Sequence, residues 1–318
     1  MDKLITVLGP TAVGKTALSF ALAEAFQTEL ISGDAYQVYK YMNIGTAKPT
    51  PEELQRYPHH LINIKEPADR FTAVEFQQLA AQAVATINHA GKWPVLVGGT
   101  GLYVQSLLEG YCFGAPKVTL DIRERAAVRY AQSSKLELQA YLQAHTDFDL
   151  SHWEELLCNK HRMIRVLELI ESGASNDYIK PGKVGLSYNN IVIGLWLPRD
   201  VLYERINRRV ELMMETGWVE EVEQLLRMGI SVDAQAMKGI GYRDIVTMLA
   251  GGLTKAAALE KIQKETRHFA KRQLTWYKRM PYIHWIHKDE YPSEDVMAKQ
   301  VIQYILSIFS GGTANGNK

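Results

Sequence analysis

Through residues 1 to about 113 the chain alternates short apolar runs with stretches of helical period. LITVL at 4–8, ELIS at 29–32 and PVLV at 94–97 are too short and too evenly apolar for helices, so they read as buried strands of a parallel sheet. ALSFALA at 17–23 carries the period of a helix covering that sheet. Gly114-Ala115-Pro116 breaks the alternation. From there to about Gly185 the pattern is almost wholly helical, over 120–131, 135–145 and 151–172, closed by Gly173 and a loop at Pro181-Gly182. Strand character returns in IVIGLW at 191–196, and helices follow. The predicted organisation is an α/β core whose first part is 1–115, an all-helical insertion at 116–186, the rest of the core with C-terminal helices at 187–309, and a disordered tail at 310–318.

Directly behind the first strand stands GPTAVGKT, residues 9–16. Its glycines let backbone N–H groups turn around phosphate oxygens. The helix start adds positive potential, Lys15 adds charge, and the Thr16 hydroxyl can hold Mg²⁺. The strand before it and the helix after it supply the context such a loop requires. This defines a P-loop NTPase-like parallel sheet flanked by helices, with Gly9, Thr11, Ala12, Val13, Gly14, Lys15 and Thr16 as polyphosphate-binding residues. The reaction stays open, because kinases, hydrolases and group transferases all use this loop.

In most nucleotide hydrolases another strand ends in an Mg²⁺-binding Asp, but PVLV runs into Gly98-Gly99-Thr100-Gly101, which has no carboxylate. Glycines and a hydroxyl at that edge offer a second place for phosphate oxygens, or simply a tight turn. The second strand delivers Gly33-Asp34-Ala35-Tyr36-Gln37 to the same carboxyl edge, where open α/β sheets bind ligands. From spacing alone, Asp34 is equally a helix cap, a water-mediated Mg²⁺ ligand or a general base.

At about 100° per residue, the helix expected over 254–279 places Lys264, Arg267, Lys271 and Lys278 on one face. Ile262, Phe269 and Trp276 fall opposite and are expected to anchor it in the core. Residues 255–288 carry nine Lys or Arg against two Glu, a strongly basic segment suited to a phosphate backbone. Such a face is also an ordinary solvated surface.

Taken together, these segments resemble the tRNA dimethylallyltransferases, or tRNA isopentenyltransferases. The matching blocks are GPTAVGKT at 9, ISGDAYQVYKYMNIGTAKP at 31, LVGGTGLY at 96, LYERINRRVELMMETGWVEEV at 202, KGIGYRD at 238 and TRHFAKRQLTWYKR at 266, in the family's order along nearly the whole chain. The resemblance implies transfer of a dimethylallyl group from dimethylallyl diphosphate to the exocyclic amine of the adenine immediately 3′ of the anticodon, in tRNAs reading codons that begin with U, with Mg²⁺ as cofactor and loss of diphosphate. It further implies that Asp34 is the general base, with Thr100 and Arg209 catalytic beside it. Lys15, Thr16, Thr100 and Arg209 then hold the diphosphate, while Arg205 and Arg208 are surface or packing residues. The implied tRNA contacts are Asp34, Ala35, Tyr36, Gln37 and Thr100 around the flipped adenine; Lys238, Gly241 and Arg243; and Arg267, Lys271, Arg272 and Lys278. Arg123, His161, Arg162 and Arg165 are the implied contacts in the insertion. Gln37 would read a base edge, Tyr36 could stack, and Tyr39 is expected to pack. The insertion departs from the family pattern: the usual His-Pro pair is absent, Cys158 stands where Asn or Asp is common, and Val166 replaces Ala.

Composition adjusts this picture in two places. A net charge of +1 over 318 residues means that RNA must be met by local patches. Two cysteines without metal-like spacing, and no apolar run of membrane-spanning length, point to a cytoplasmic protein that engages no membrane and is expected to be a monomer. His59-His60 and His284 with His287 lack a third ligand at a recognisable spacing, so a metal site is not expected there. A small-molecule kinase using the loop for ATP explains Gly9 to Thr16 but not the basic helix. Remaining rivals are a free-adenylate prenyltransferase of the cytokinin-forming kind and a tRNA-binding module without activity.

Overall fold

The computed structural model of the chain describes residues 1–113, 118–146, 159–173 and 183–311. It separates into a core unit, residues 1–108 with 186–318, and a second unit, residues 109–185.

The core is a six-stranded parallel sheet flanked by helices. Its strands are β1 (Lys3–Leu8), β2 (Leu30–Gly33), β3 (His59–His60), β4 (Val95–Gly98), β5 (Asn189–Trp196) and β6 (Ile283–His287), ordered β3-β2-β4-β1-β5-β6. Central strands covered on both faces must be apolar throughout, which is why β1, β2 and β5 read as unbroken runs. Leu4, Ile5, Val7, Leu8, Leu30, Ile31, Ile193 and Leu195 have no exposed surface. Each such side chain contributes about 1.5–3 kcal/mol of burial.

The helices that matter for the site are α1 (Lys15–Phe26), α2 (Pro51–Arg56), α3 (Ala73–His89) and α4 (Gly101–Leu108), then α5 (Leu120–Gln132), α6 (Lys135–His145) and α7 (Lys160–Glu171) of the second unit. After β5 come α8 (Arg199–Glu215), α9 (Trp218–Arg227), α10 (Tyr242–Leu249), α11 (Lys255–Tyr277) and, after β6, α12 (Glu294–Gly311). Capping follows ordinary chemistry at α3 and α11, where Thr72 and Thr254 accept from Glu75 N–H at 3.2 Å and Ala257 N–H at 3.1 Å. Helix α1 differs. Gly14 precedes it with φ of 101° and no side chain caps it, so its N-terminal N–H groups stay open to an anion.

The second unit has its own small core of Ala126, Leu138, Leu142, Met163, Val166, Leu167 and Leu169. Part of the helix expected over 151–172, with Cys158, lies outside the described residues, as do Pro181-Gly182 and the last residues of the expected tail.

Two strands escape the sequence pattern. β3 is only two residues long, and β6 alternates buried Ile283 and Ile286 with exposed His284 and His287, a weak signal beside its basic surroundings. The anchoring expected of Phe269 and Trp276 holds in part: half-buried Trp276 packs against the core, whereas Phe269 does not. The core face of α11 is Ala258, Ile262, Ala270, Gln273 and Tyr277, while Phe269 and Trp276 stand on its flank, half-buried in a cavity wall. A helical wheel fixes angles about the helix axis but not which neighbour each angle meets.

Candidate active site

The loops after β1, β2 and β4 converge at the carboxyl edge of the sheet, where α8 and α11 cover them. Two cavities open there, both within the core unit. The first, about 600 Å³, is lined by Thr11, Ala12, Gly14, Lys15 and Thr16, with Ser32, Gln37, His59 and three arginines, Arg205, Arg208 and Arg209. The second, about 560 Å³, is walled by Ile206, Val210, Met213, Trp218, Phe269 and Trp276, with Ala35, Tyr36, Thr100, Lys238 and Arg272. Asp34, Arg209, Thr11, Gly99 and Gln273 belong to both walls and mark the junction.

At the first cavity Lys15 turns its ammonium back onto the loop, donating to the Gly9 and Pro10 carbonyls at 2.9 Å each. Burial, reinforced by the Arg209 charge and opposed by Asp34, pushes its pKa down to about 7. Arg209 is likewise depressed by burial, with Asp34 acting in the opposite sense. A dianion arriving here meets two neighbouring cationic side chains answered by the Asp34 carboxylate.

Not every loop residue faces this cavity. Gly9 and Val13 are absent from its wall. Val13 is fully buried, with its N–H donating to the Pro10 carbonyl at 3.4 Å. The Thr11 N–H is taken by Gln273 Oε1 at 2.8 Å. Arg205 and Arg208 are exposed, as expected, and also reach the cavity wall, because they share the face of α8 that carries Arg209.

Asp34 caps no helix and instead holds a turn. Its Oδ1 accepts from the N–H groups of Tyr36 at 2.8 Å and Gln37 at 3.3 Å, an Asx-type turn, while Oδ2 makes no hydrogen bond among the described residues. Thr100 ties the neighbouring loop to this one. Its hydroxyl oxygen accepts from the Ala35 N–H at 3.0 Å, which leaves the hydroxyl proton free to be donated. Thr100 lines the second cavity and not the first.

Gln37 is placed differently from its expected base-reading role. Its amide donates to the Thr46 and Ala47 carbonyls at 3.2 and 3.3 Å, accepts from Ser32 Oγ at 2.8 Å, and faces the first cavity. In this arrangement it builds the loop at 43–47. Glu221 holds the other side of that loop, accepting from Asn43 N–H at 2.6 Å, Ile44 N–H at 2.7 Å, Gly45 N–H at 3.1 Å and the Tyr242 hydroxyl at 2.7 Å. Neither Glu221 nor Gln273 is marked by local sequence: each acts across more than a hundred residues.

The remaining expected RNA contacts divide. Lys238 and Arg272 are exposed at the second cavity, with Arg272 over the Phe269 ring. Lys271 and Lys278 are exposed and make no ion pair among the described residues. Arg267 donates to Asn207 Oδ1 at 2.6 Å, and Arg243 pairs with Asp233 at 3.6 Å. Gly241 is buried, with φ of 88°; a Cβ there would run into the Trp218 ring, so its role is packing. In the second unit, Arg123 and Arg165 both pair with the buried carboxylate of Glu168, at 3.0 and 2.8 Å, whereas His161 and Arg162 are exposed. Tyr39 is fully buried.

For a divalent cation, the first cavity offers the Thr16 hydroxyl and the Asp34 carboxylate, both hard oxygen donors. Sparse protein ligation suits Mg²⁺, which keeps several waters and binds with substrate phosphates. Among the described residues no cluster of three His, Cys, Asp or Glu forms an alternative centre. No helix among them is long and apolar enough to cross a membrane.

Comparison with known proteins follows the same lines. The family model described as IPP transferase matches residues 37–280. The tRNA dimethylallyltransferase of Shouchella clausii is 41% identical over 312 residues, covering 98% of either chain. That of Bacillus subtilis is 36% identical over 313 residues, covering 95% of this chain and 96% of its own. Among solved structures, the full-length tRNA isopentenylpyrophosphate transferase of Bacillus halodurans matches with a TM-score of 0.73 at 36% identity and 98% coverage of both chains. A eukaryotic dimethylallyltransferase acting on tRNA shares the fold, with a TM-score of 0.78 at 22% identity, over 98% of this chain and 80% of its own.

Proposed function

This chain belongs to the IPP transferase family, and from that premise we propose that its paired cavities carry out one bimolecular reaction, transfer of a dimethylallyl group from its diphosphate to tRNA. The observation that carries this reading is the junction. Asp34 and Arg209 line a cationic cavity on one side and an aromatic, apolar cavity on the other. A diphosphate in the first and a flipped adenine in the second would meet there.

The acceptor is the adenine immediately 3′ of the anticodon, in tRNAs reading codons that begin with U. A base in a single-stranded loop leaves its stack at modest cost, and Trp276, Phe269 and Tyr36 offer flat surfaces to receive it. The lone pair of the exocyclic nitrogen forms the new N–C bond as the C–O bond to diphosphate breaks. The nitrogen grows acidic as it alkylates, and its proton goes to Asp34 Oδ2, the oxygen that the turn leaves free. The products are N6-isopentenyladenosine and diphosphate.

Departure of diphosphate leaves allyl-cation character and concentrates negative charge on the leaving oxygens. Lys15, Arg209 and the N-terminus of α1 are placed to take up that charge, and the apolar wall excludes water from the cation. Thr100 can donate its hydroxyl proton toward the same junction. Mg²⁺, held by the Thr16 hydroxyl, would neutralise the leaving group further. Phosphate contacts along the anticodon stem fall to the exposed basic face of α11, Lys264, Lys271 and Lys278, with Arg162 and His161 as contacts from the second unit. We place the enzyme in the cytoplasm, with its tRNA, as a monomer.

The test is transfer of labelled dimethylallyl group, with Mg²⁺, to an anticodon stem-loop carrying adenines 3′ of the anticodon, with AMP and ATP as parallel acceptors. Label on the stem-loop alone is expected. Label on the free nucleotides would favour the adenylate prenyltransferase, and none on any acceptor would return the loop to a kinase or a binding module.

A further inference from the structure

The carbonyl groups of the phosphate loop are held by cations from three segments of the chain. Arg205 Nε donates to the Ala12 carbonyl at 3.0 Å, and Lys288 Nζ donates to the Val13 carbonyl at 2.9 Å. With Lys15 on Gly9 and Pro10, three cations hold four carbonyls of one short loop. A peptide unit whose C=O is drawn one way presents its N–H the other way, which is the orientation an anion needs.

Lys288 is the cation that the reaction does not otherwise use. It follows β6 in a single turn of 3₁₀ helix (Lys288–Glu290), is 8% exposed, and lines neither cavity. Burying an ammonium is costly unless its charge is used or balanced. Balance comes only in part. Glu294, at the start of α12 and half exposed, accepts from Nζ at 2.6 Å while lying 4.0 Å from Arg205 Nη2, so one carboxylate answers two cations. The approach to the loop is intimate: Gly14 carries φ of 101°, and a Cβ there would collide with Lys288 Nζ.

We propose that Lys288 is a positioning residue for the diphosphate, fixing the Ala12–Gly14 stretch through the Val13 carbonyl and lending it positive potential that Glu294 moderates. This rests on the loop being the diphosphate site.

The experiment is calorimetric titration of the full chain with inorganic diphosphate in Mg²⁺, beside anticodon stem-loop binding and thermal unfolding. Lys288→Met is expected to weaken diphosphate binding about ten-fold or more, the scale of one charge-assisted hydrogen bond, with stem-loop affinity within about two-fold of wild type. Glu294→Gln, at a surface position that folding tolerates, removes the moderating charge and leaves Lys288 on Val13; it is expected to tighten diphosphate binding about two-fold or more. An ion pair that only pins α12 would lower the melting temperature of both variants and leave diphosphate affinity unchanged. Wild-type affinity in folded Lys288→Met, or unchanged or weakened binding in Glu294→Gln, overturns the proposal; should Lys288→Met not fold, Glu294→Gln decides alone. Failure of the wild-type protein to bind magnesium diphosphate is a separate result, which would sink the diphosphate reading and this proposal with it.

Discussion

Gln273 accepts a hydrogen bond from the Thr11 N–H at 2.8 Å, joining helix α11 to the phosphate loop 262 residues earlier. The other end of the same amide donates to the Gly99 carbonyl at 2.8 Å, and Tyr277 donates its hydroxyl to that carbonyl at 2.9 Å. One buried side chain thereby fixes the spacing of the two loops that bound the junction, using the amide as donor and acceptor at once. Gln273→Glu keeps an acceptor for Thr11 but loses the donor and adds negative charge beside the leaving group. We expect kcat/KM to fall about 10²–10³-fold in that variant, by steady-state transfer assay, with a melting temperature within a few degrees.

Lys15 gives a pH signature. Its folded pKa of about 7 lies below its unfolded value, so the free protein is mostly deprotonated there at pH 8, and a diphosphate that binds the ammonium must take up a proton. Affinity for magnesium diphosphate should therefore weaken as pH rises above about 7, by at most ten-fold per unit, and calorimetry in buffers of different ionisation enthalpy should register the proton. The stability sign is opposite to that of a paired lysine. Between about pH 7 and the unfolded pKa the unfolded chain binds more protons, so this group makes stability rise with pH. At neutral pH Lys15→Met should raise the melting temperature of the ligand-free protein by about 2–4 °C while removing diphosphate binding.

Thr100 is expected to tolerate serine and not valine. Valine preserves shape but leaves the Ala35 N–H without its 3.0 Å acceptor and removes the only hydroxyl of the Gly98-Gly99-Thr100-Gly101 turn. Turnover should fall about 10²-fold or more in Thr100→Val and stay within about ten-fold in Thr100→Ser, measured with saturating stem-loop.

Much of this arrangement is legible in the sequence, and the reason is locality. The phosphate loop, the Gly-rich turn after β4 and the Asp34 turn each announce themselves because strand, turn and ligand group are contiguous. The basic face of α11 is legible because helical period alone sets it. Phe269 and Trp276 were harder: their angle on the helix is fixed, but whether that flank meets core or cavity depends on where α8 lies. Lys288, Gln273 and Glu221 are less legible still, because their partners come from distant segments and a single Lys, Gln or Glu in a helical or polar stretch reads as solvated surface. The same holds in the insertion. The resemblance implies RNA contacts at Arg123 and Arg165, but the pairing of both with Glu168 is not legible in the sequence.

The basic face of α11 should act on tRNA without regard to base identity. Lys271→Gln with Lys278→Gln removes two exposed charges that line neither cavity. Stem-loop binding should weaken, and the slope of log affinity against log salt should shrink by about 1–2, with diphosphate affinity unchanged. An unaltered salt slope would move the RNA backbone to another face.

The most direct test concerns Asp34. Asparagine retains an Oδ1 acceptor for the Tyr36 and Gln37 N–H groups, so Asp34→Asn preserves the turn while abolishing the carboxylate at Oδ2. Single-turnover transfer to the stem-loop should slow by about 10³-fold or more, with binding of stem-loop and of magnesium diphosphate each within about three-fold of wild type. Transfer within ten-fold of wild type would contradict proton removal by Asp34 and leave its turn as its only function.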